Sequence, residues 1–129
     1  MKRKQPEQVF HKAVAEYLDA ALPPSCWWTT FPAGGGGKAR GGQLKAMGLR
    51  AGVPDILVLH RYARMIVHVI WLELKAPKGR PPSKVQIATH NALEGVDDWA
   101  VSVHVCRTLD EVESALRDEC IPLRAKVAA

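Results

Sequence analysis

Met65-Ile66-Val67-His68-Val69-Ile70-Trp71-Leu72-Glu73-Leu74-Lys75 is the stretch on which the fold turns. Val67, Val69 and Trp71 fall on one face of an extended run, and Ile66, Ile70, Leu72 and Leu74 on the other, so both faces are apolar. A strand greasy on both sides belongs in the middle of a sheet, covered above and below. Immediately upstream, Asp55 to His60 is a second Val/Ile/Leu-rich run, joined to the first by the polar stretch Arg61-Tyr62-Ala63-Arg64; together they read as a β-hairpin. The longest apolar stretch, Met65 to Leu72, is interrupted by His68 and is far short of the ~20 residues that a membrane span needs.

Working outward, Phe10, Ala13, Val14, Tyr17, Leu18 and Ala21 recur at helical spacing, which predicts an amphipathic helix from Pro6 to Leu22, stopped by Pro23-Pro24. Trp27 to Phe31 suits a short strand. Ala33-Gly34-Gly35-Gly36-Gly37 suits nothing regular, and a mobile Gly-rich loop is expected over 33–42, with a short helix from Gln43 to Leu49 before Gly52-Val53-Pro54 breaks it. Beyond the hairpin, Pro77 to Pro82 is a loop. Ser83 and Gln86 form an S-x-x-Q capping box that opens a helix ending near Gly95. Ala100 to Cys106 alternates as a strand, and Thr108 with Glu111 makes a second capping box for a helix to about Arg117. The expected architecture is α/β in the order αβββαβ(α), a central mixed sheet flanked by helices. A single domain is expected over 1–129, with its core at about 6–117 and a C-terminal tail at 118–129.

Composition bounds the function. A hydrophobic fraction of 47% with 24% charged residues is ordinary for a globular chain of 129 residues. Cys26, Cys106 and Cys120 are an odd number without CxxC spacing, against a disulfide framework or zinc knuckle. Met1-Lys2-Arg3-Lys4 has the charge of a secretory leader, but polar Gln5-Pro6-Glu7-Gln8 stands where an apolar stretch belongs, so a cytoplasmic protein without a membrane partner is expected. Eighteen Lys and Arg against thirteen Asp and Glu leave +5. Residues 1–50 carry 8 basic and 3 acidic side chains, 51–95 carry 6 and 3, and 96–129 carry 4 and 7, so only the first two stretches suit a polyanion. Gly37-Lys38 is not a phosphate-binding loop, because that pattern needs Gly where Pro32 stands and Ser or Thr where Ala39 stands; no nucleotide cofactor is expected. His11, His60, His68, His90 and His104 show no paired metal spacing and read as structural or surface groups. Trp27, Trp28, Trp71 and Trp99 read as core or sheet-packing residues, with either Trp27 or Trp28 facing away from the core.

Chemistry concentrates at one end of the hairpin. Asp55 opens the first strand after Pro54, while Glu73 and Lys75, two residues apart, point to one face. An apolar strand rejects a carboxylate and an ammonium unless something compensates them. Oxygen ligands from Asp55, Glu73 and the main-chain carbonyl of Leu74 suit Mg²⁺, which keeps waters and binds substrate phosphate, and Lys75 would assist the attacking water. The alternative is a solvated ion pair between Glu73 and Lys75, with Asp55 capping a turn.

The pattern Pro54-Asp55 followed by Glu73-Leu74-Lys75 resembles the PD-(D/E)xK nuclease superfamily, with its restriction-endonuclease-like core. Leu44 to Ile56, Leu72 to Arg80, and then Ser83, Gln86 and His90 resemble more narrowly the virus-type replication-repair nuclease (VRR-NUC) domain in its stand-alone form. The resemblance spans roughly residues 7–110. It implies an acidic metal ligand from the first helix, for which Glu7 projects near the apolar stripe of Phe10 and Val14 whereas Glu16 falls opposite. It also implies a site role for Gln86, orienting water or metal; capping already accounts for Gln86, and one side-chain geometry is not expected to fill both roles. Lys38, Arg40, Lys45, Arg50, Lys78, Arg80 and Lys84 are the natural phosphate contacts, with Arg50 and Arg80 flanking the motifs. The implied activity is Mg²⁺-dependent cleavage of phosphodiester bonds in branched DNA, as in Holliday-junction resolvases of DNA repair, by a homodimer; Mn²⁺ is an expected substitute for Mg²⁺, and a viral or bacterial context is implied. The alternatives are a monomeric flap or single-strand-selective nuclease, and a catalytically silent DNA-binding module.

Overall fold

The two apolar runs pair as the centre of a four-stranded sheet in the computed structural model, which describes residues 6–31 and 37–127, with the main chain alone for 37–40. The elements are α1 (Pro6–Ala21), β1 (Cys26–Thr30), α2 (Gly37–Ala46), β2 (Ile56–Ala63), β3 (Ile66–Leu74), α3 (Lys84–Glu94), β4 (Val101–Cys106) and α4 (Leu109–Asp118). The sheet order is β1-β2-β3-β4. β1 and β3 flank β2 antiparallel, and β4 joins β3 in parallel through α3. The fold is therefore the expected mixed sheet with flanking helices.

Strand parity decides the core. Ile56, Val58, Ile70, Leu72, Leu74 and Cys106 share one sheet face and are buried beneath Val14, Leu18 and Ala21 of α1 and Val112, Ala115 and Leu116 of α4. Each fully buried Leu, Ile or Val contributes about 1.5–3 kcal/mol. The opposite face is covered less than the sequence suggests: Val69 and Trp71 are half-buried and Val67 is half exposed. Trp71 lies against Phe31 with ring centroids 5.5 Å apart. Trp28 turns inward, donating from its indole nitrogen to Asp19, and Trp27 faces solvent. Trp99, expected in the packing, is 57% exposed and stands edge-on to the rings of Tyr62 and the buried His68.

Four further expectations are corrected. Residues 37–46, including Gly41 and Gly42, are helical although their glycines disfavour it, so the expected loop over 33–42 is wrong from Gly37 onward; 33–36 lie outside the described residues. β2 continues past His60 to Ala63 through an irregularity between Arg61 and Ala63. At α4, Thr108 Oγ1 accepts from Glu111 N–H, but the Glu111 carboxylate takes the N–H of Arg107, so the second box is only half formed. The C-terminal stretch is packed: Ile121 joins the core, and the main-chain and guanidinium N–H groups of Arg124 go to the carbonyls of Ala21 and Leu22, closing the open end of α1.

Candidate active site

β2 begins and β3 ends at the same edge of the molecule. Ile56 pairs with Leu72, so the register carried one residue further sets Asp55 across from Glu73 on the same face. Asp55 follows buried Pro54. Its carbonyl accepts from Phe31 N–H (2.9 Å) and the Thr30 hydroxyl (3.0 Å), and its Oδ2 accepts from Leu74 N–H at 2.7 Å. The N–H and C=O of a strand residue face the same neighbour, so the Leu74 carbonyl is turned to the Asp55 side as well.

Behind Asp55, Gly52 adopts φ +80°, and a Cβ there would stand 2.7 Å from the Val85 carbonyl and 2.9 Å from Thr89 Oγ1. Glycine thus allows the Gly52-Val53-Pro54 turn to lie directly on α3. Thr89 Oγ1 fastens the contact by donating to the Ala51 carbonyl at 2.7 Å. That brings the first turn of α3, and Gln86, over the hairpin end.

Gln86 corrects the expectation that capping and site chemistry exclude each other. Its Oε1 accepts both from Ser83 N–H (2.8 Å), completing the capping box, and from Lys75 Nζ (3.0 Å). Its Nε2 donates to Glu73 Oε1 at 2.8 Å. One amide has two acceptor and two donor positions, enough for both roles at once.

The resulting cleft holds about 460 Å³ and is lined by Glu7, Asp55, Glu73, Leu74, Lys75 and Gln86 among others. All six residues expected at the site from the sequence therefore meet in one place. Glu7 enters from the exposed first turn of α1. Lys45, Arg50, Lys78, Arg80 and Lys84 are all exposed; none lines the cleft itself, and Lys84 stands between the lining residues Ser83 and Val85. The side chains of Lys38 and Arg40 lie outside the described residues.

The electrostatics are unbalanced. Glu73 is 2% exposed. Burial raises its carboxyl from 4.5 to about 7, Asp55 adds to the rise, and Lys75 at 3.5 Å only partly opposes it. Burial also raises Asp55, against the Leu74 N–H and the neighbouring His11 and with Glu7 adding to the rise. Glu73 Oε2 is buried without a hydrogen-bond partner, 3.7 Å from His90 Nε2, which also lacks one. Burial lowers His90, which disfavours its charged form and makes it a poor counter-charge for Glu73. An orphaned carboxylate oxygen, mutually repelling acids and an all-oxygen donor set are what a hard divalent cation would compensate. Among the described residues no group of three or more His, Cys, Asp or Glu side chains is placed to hold a metal ion by itself, so main-chain carbonyl and water would have to complete any coordination. The set accordingly fits an ion that keeps several waters, such as Mg²⁺, rather than a dedicated protein cage.

Two site-supporting groups escaped the sequence reading. His11 Nε2 lies 3.0 Å from Thr30 Oγ1, one helical turn from Glu7; the i,i+4 spacing from Glu7 was the available signal. Arg107 donates to the carbonyls of Ala76 (2.8 Å), Gly79 (3.0 Å) and Arg80 (3.2 Å), pinning the loop that follows Lys75; the sequence carries no local sign of it.

No family model matches the chain. No curated protein matches it. A solved structure described as a VRR_NUC domain protein is similar over 91% of this chain and 89% of its own, with a TM-score of 0.61 and 15% sequence identity.

Proposed function

We propose that this chain, which has the fold of a VRR_NUC domain protein, is a metal-dependent nuclease that hydrolyses phosphodiester bonds in DNA. The observation that carries the reading is the cleft itself: Asp55 and Glu73 face each other at the hairpin end, short of positive charge, with Lys75 beside them and Gln86 bonded to both Glu73 and Lys75. Asp55, Glu73 and the Leu74 carbonyl would hold Mg²⁺, with Glu7 reaching the ion from α1 directly or through its waters. When bound, the ion lowers the pKa of water and stabilises charge on the scissile phosphate.

The protein's own groups do the rest. Leu74 N–H fixes the Asp55 carboxylate through Oδ2, and Asp55 lines the cleft. The Gln86 amide fixes Glu73 through one atom and Lys75 through the other, so carboxylate and ammonium keep a constant separation. Lys75 orients the attacking water and adds positive charge where the phosphorane-like transition state gathers negative charge. Arg50, Lys78, Arg80, Lys84 and Lys45 contact phosphates, which positions DNA without reading its sequence. The substrate we favour is branched DNA cut by a homodimer, two cleft copies making paired nicks as at a four-way junction.

The test is cleavage of a four-way junction, a flap and a linear duplex in Mg²⁺ and in Mn²⁺, with product ends mapped and oligomeric state measured in parallel. Paired symmetric nicks by a dimer support the junction reading. Flap cutting by a monomer replaces it with the simpler nuclease, and salt-sensitive binding without cutting leaves a DNA-binding module.

A further inference from the structure

We propose that His11 is a positioning residue for the cleft: through Thr30 it holds the first turns of α1, and with them Glu7, against the strand start that carries Asp55. The buried residues of α1 are Val14, Tyr17, Leu18 and Ala21, all in its C-terminal part. Residues 6–9 are exposed, and ahead of Val14 only Phe10 packs partly against the core. An end with so little buried surface frays easily unless tethered. The tether is the contact between His11 Nε2 and Thr30 Oγ1 at 3.0 Å.

Its direction follows from counting protons. The Thr30 hydroxyl gives its single hydrogen to the Asp55 carbonyl at 3.0 Å, so Oγ1 can only accept from His11, and Nε2 carries the hydrogen. The chain His11 to Thr30 to Asp55 therefore runs from α1 through β1 to the start of β2, the same place from which Asp55 enters the cleft. Glu7 is four residues before His11 and so shares its helix face. Fixing His11 fixes the reach of Glu7. This role rests on the proposed use of Glu7 toward a divalent ion.

Two measurements on the full chain test it. The first is amide hydrogen exchange on the metal-free protein. His11→Ala should speed exchange of Phe10 to Val14 about tenfold, the size expected from one lost hydrogen bond, and leave Ile70 and Leu72 of β3 unchanged. His11→Gln, whose amide N–H replaces Nε2–H, should restore protection. The second is a Mn²⁺ titration of the parent, His11→Ala, Glu7→Gln and the double variant. His11→Ala should weaken Mn²⁺ about tenfold or more, as losses of ligand-orienting partners do. Added to Glu7→Gln, it should cost nothing further, because it acts only through that side chain. Unchanged exchange, unchanged affinity in His11→Ala, or full additivity in the double variant overturns the proposal while leaving the nuclease reading intact. A parent that binds no Mn²⁺ overturns both.

Discussion

Glu73→Gln should make the metal-free protein more stable while abolishing its activity. Folding raises this carboxyl from 4.5 to about 7. Between those values the folded chain binds more protons than the unfolded one, so stability falls as pH rises through that window and is level above it. The loss at pH 8 is about 3 kcal/mol, a large share of a domain's total. The amide that replaces the carboxyl cannot ionise, so the variant lacks this decline. His60 and His90, both lowered by burial, act in the opposite sense, since the unfolded chain holds more of their protons. His60, across from His68 and away from the substitution, cancels in the difference, whereas His90 lies 3.7 Å from Glu73 and is removed from the comparison by making both proteins His90→Gln. Urea unfolding in chelator from pH 4.5 to 8 should therefore show a parent-minus-variant gap that shifts by about 3 kcal/mol in the variant's favour. Saturating Mg²⁺, at about 100 times its Kd, should return about 2.7 kcal/mol to the parent alone. A gap that stays flat with pH refutes the claim that Glu73 is held as an uncompensated charge.

Lys75→Ala should leave Mn²⁺ affinity intact yet slow single-turnover cleavage about 10²–10⁴-fold, the usual worth of a positioned proton-handling group; loss confined to DNA affinity would argue against its place beside the water. Gln86→Ala should cost about 1 kcal/mol through the broken capping box and reduce cleavage as well, whereas Gln86→Glu should keep helix content by circular dichroism but lose cleavage, because a second carboxylate then faces Glu73; an active Gln86→Glu would show that its Nε2–H is dispensable. Arg50→Ala and Arg80→Ala should each weaken all DNAs alike and reduce the slope of log K against log salt by about 1, while sequence-selective loss in a binding titration would contradict phosphate contact.

Much of the site could be read because it lies where strand geometry is rigid. Period-two alternation sets Glu73 and Lys75 on one face, and antiparallel register then sets Asp55 opposite. The Ser83–Gln86 box was equally legible, being a local motif with a fixed hydrogen-bond pattern. What could not be read depends on packing between distant segments. Residues 37–46 are helical although glycines crowd them, so local propensity misleads there. Gln86 serves cap and cleft together because the Gly52 turn docks on α3, which no spacing announces. The half-open face around Val67 and the packed stretch at Ile121 follow from where α3 and the C-terminal segment come to rest. His11 lies four residues from Glu7, but its partner Thr30 sits on another element, and only the fold joins them.

The most direct measurement is Mn²⁺ binding to the parent, Asp55→Asn and Glu73→Gln, followed by isothermal titration at pH 8. The account predicts saturable binding by the parent, lost in both variants while their folded signal persists. Parent protein that takes up no ion, or variants that bind as well as the parent, would contradict it.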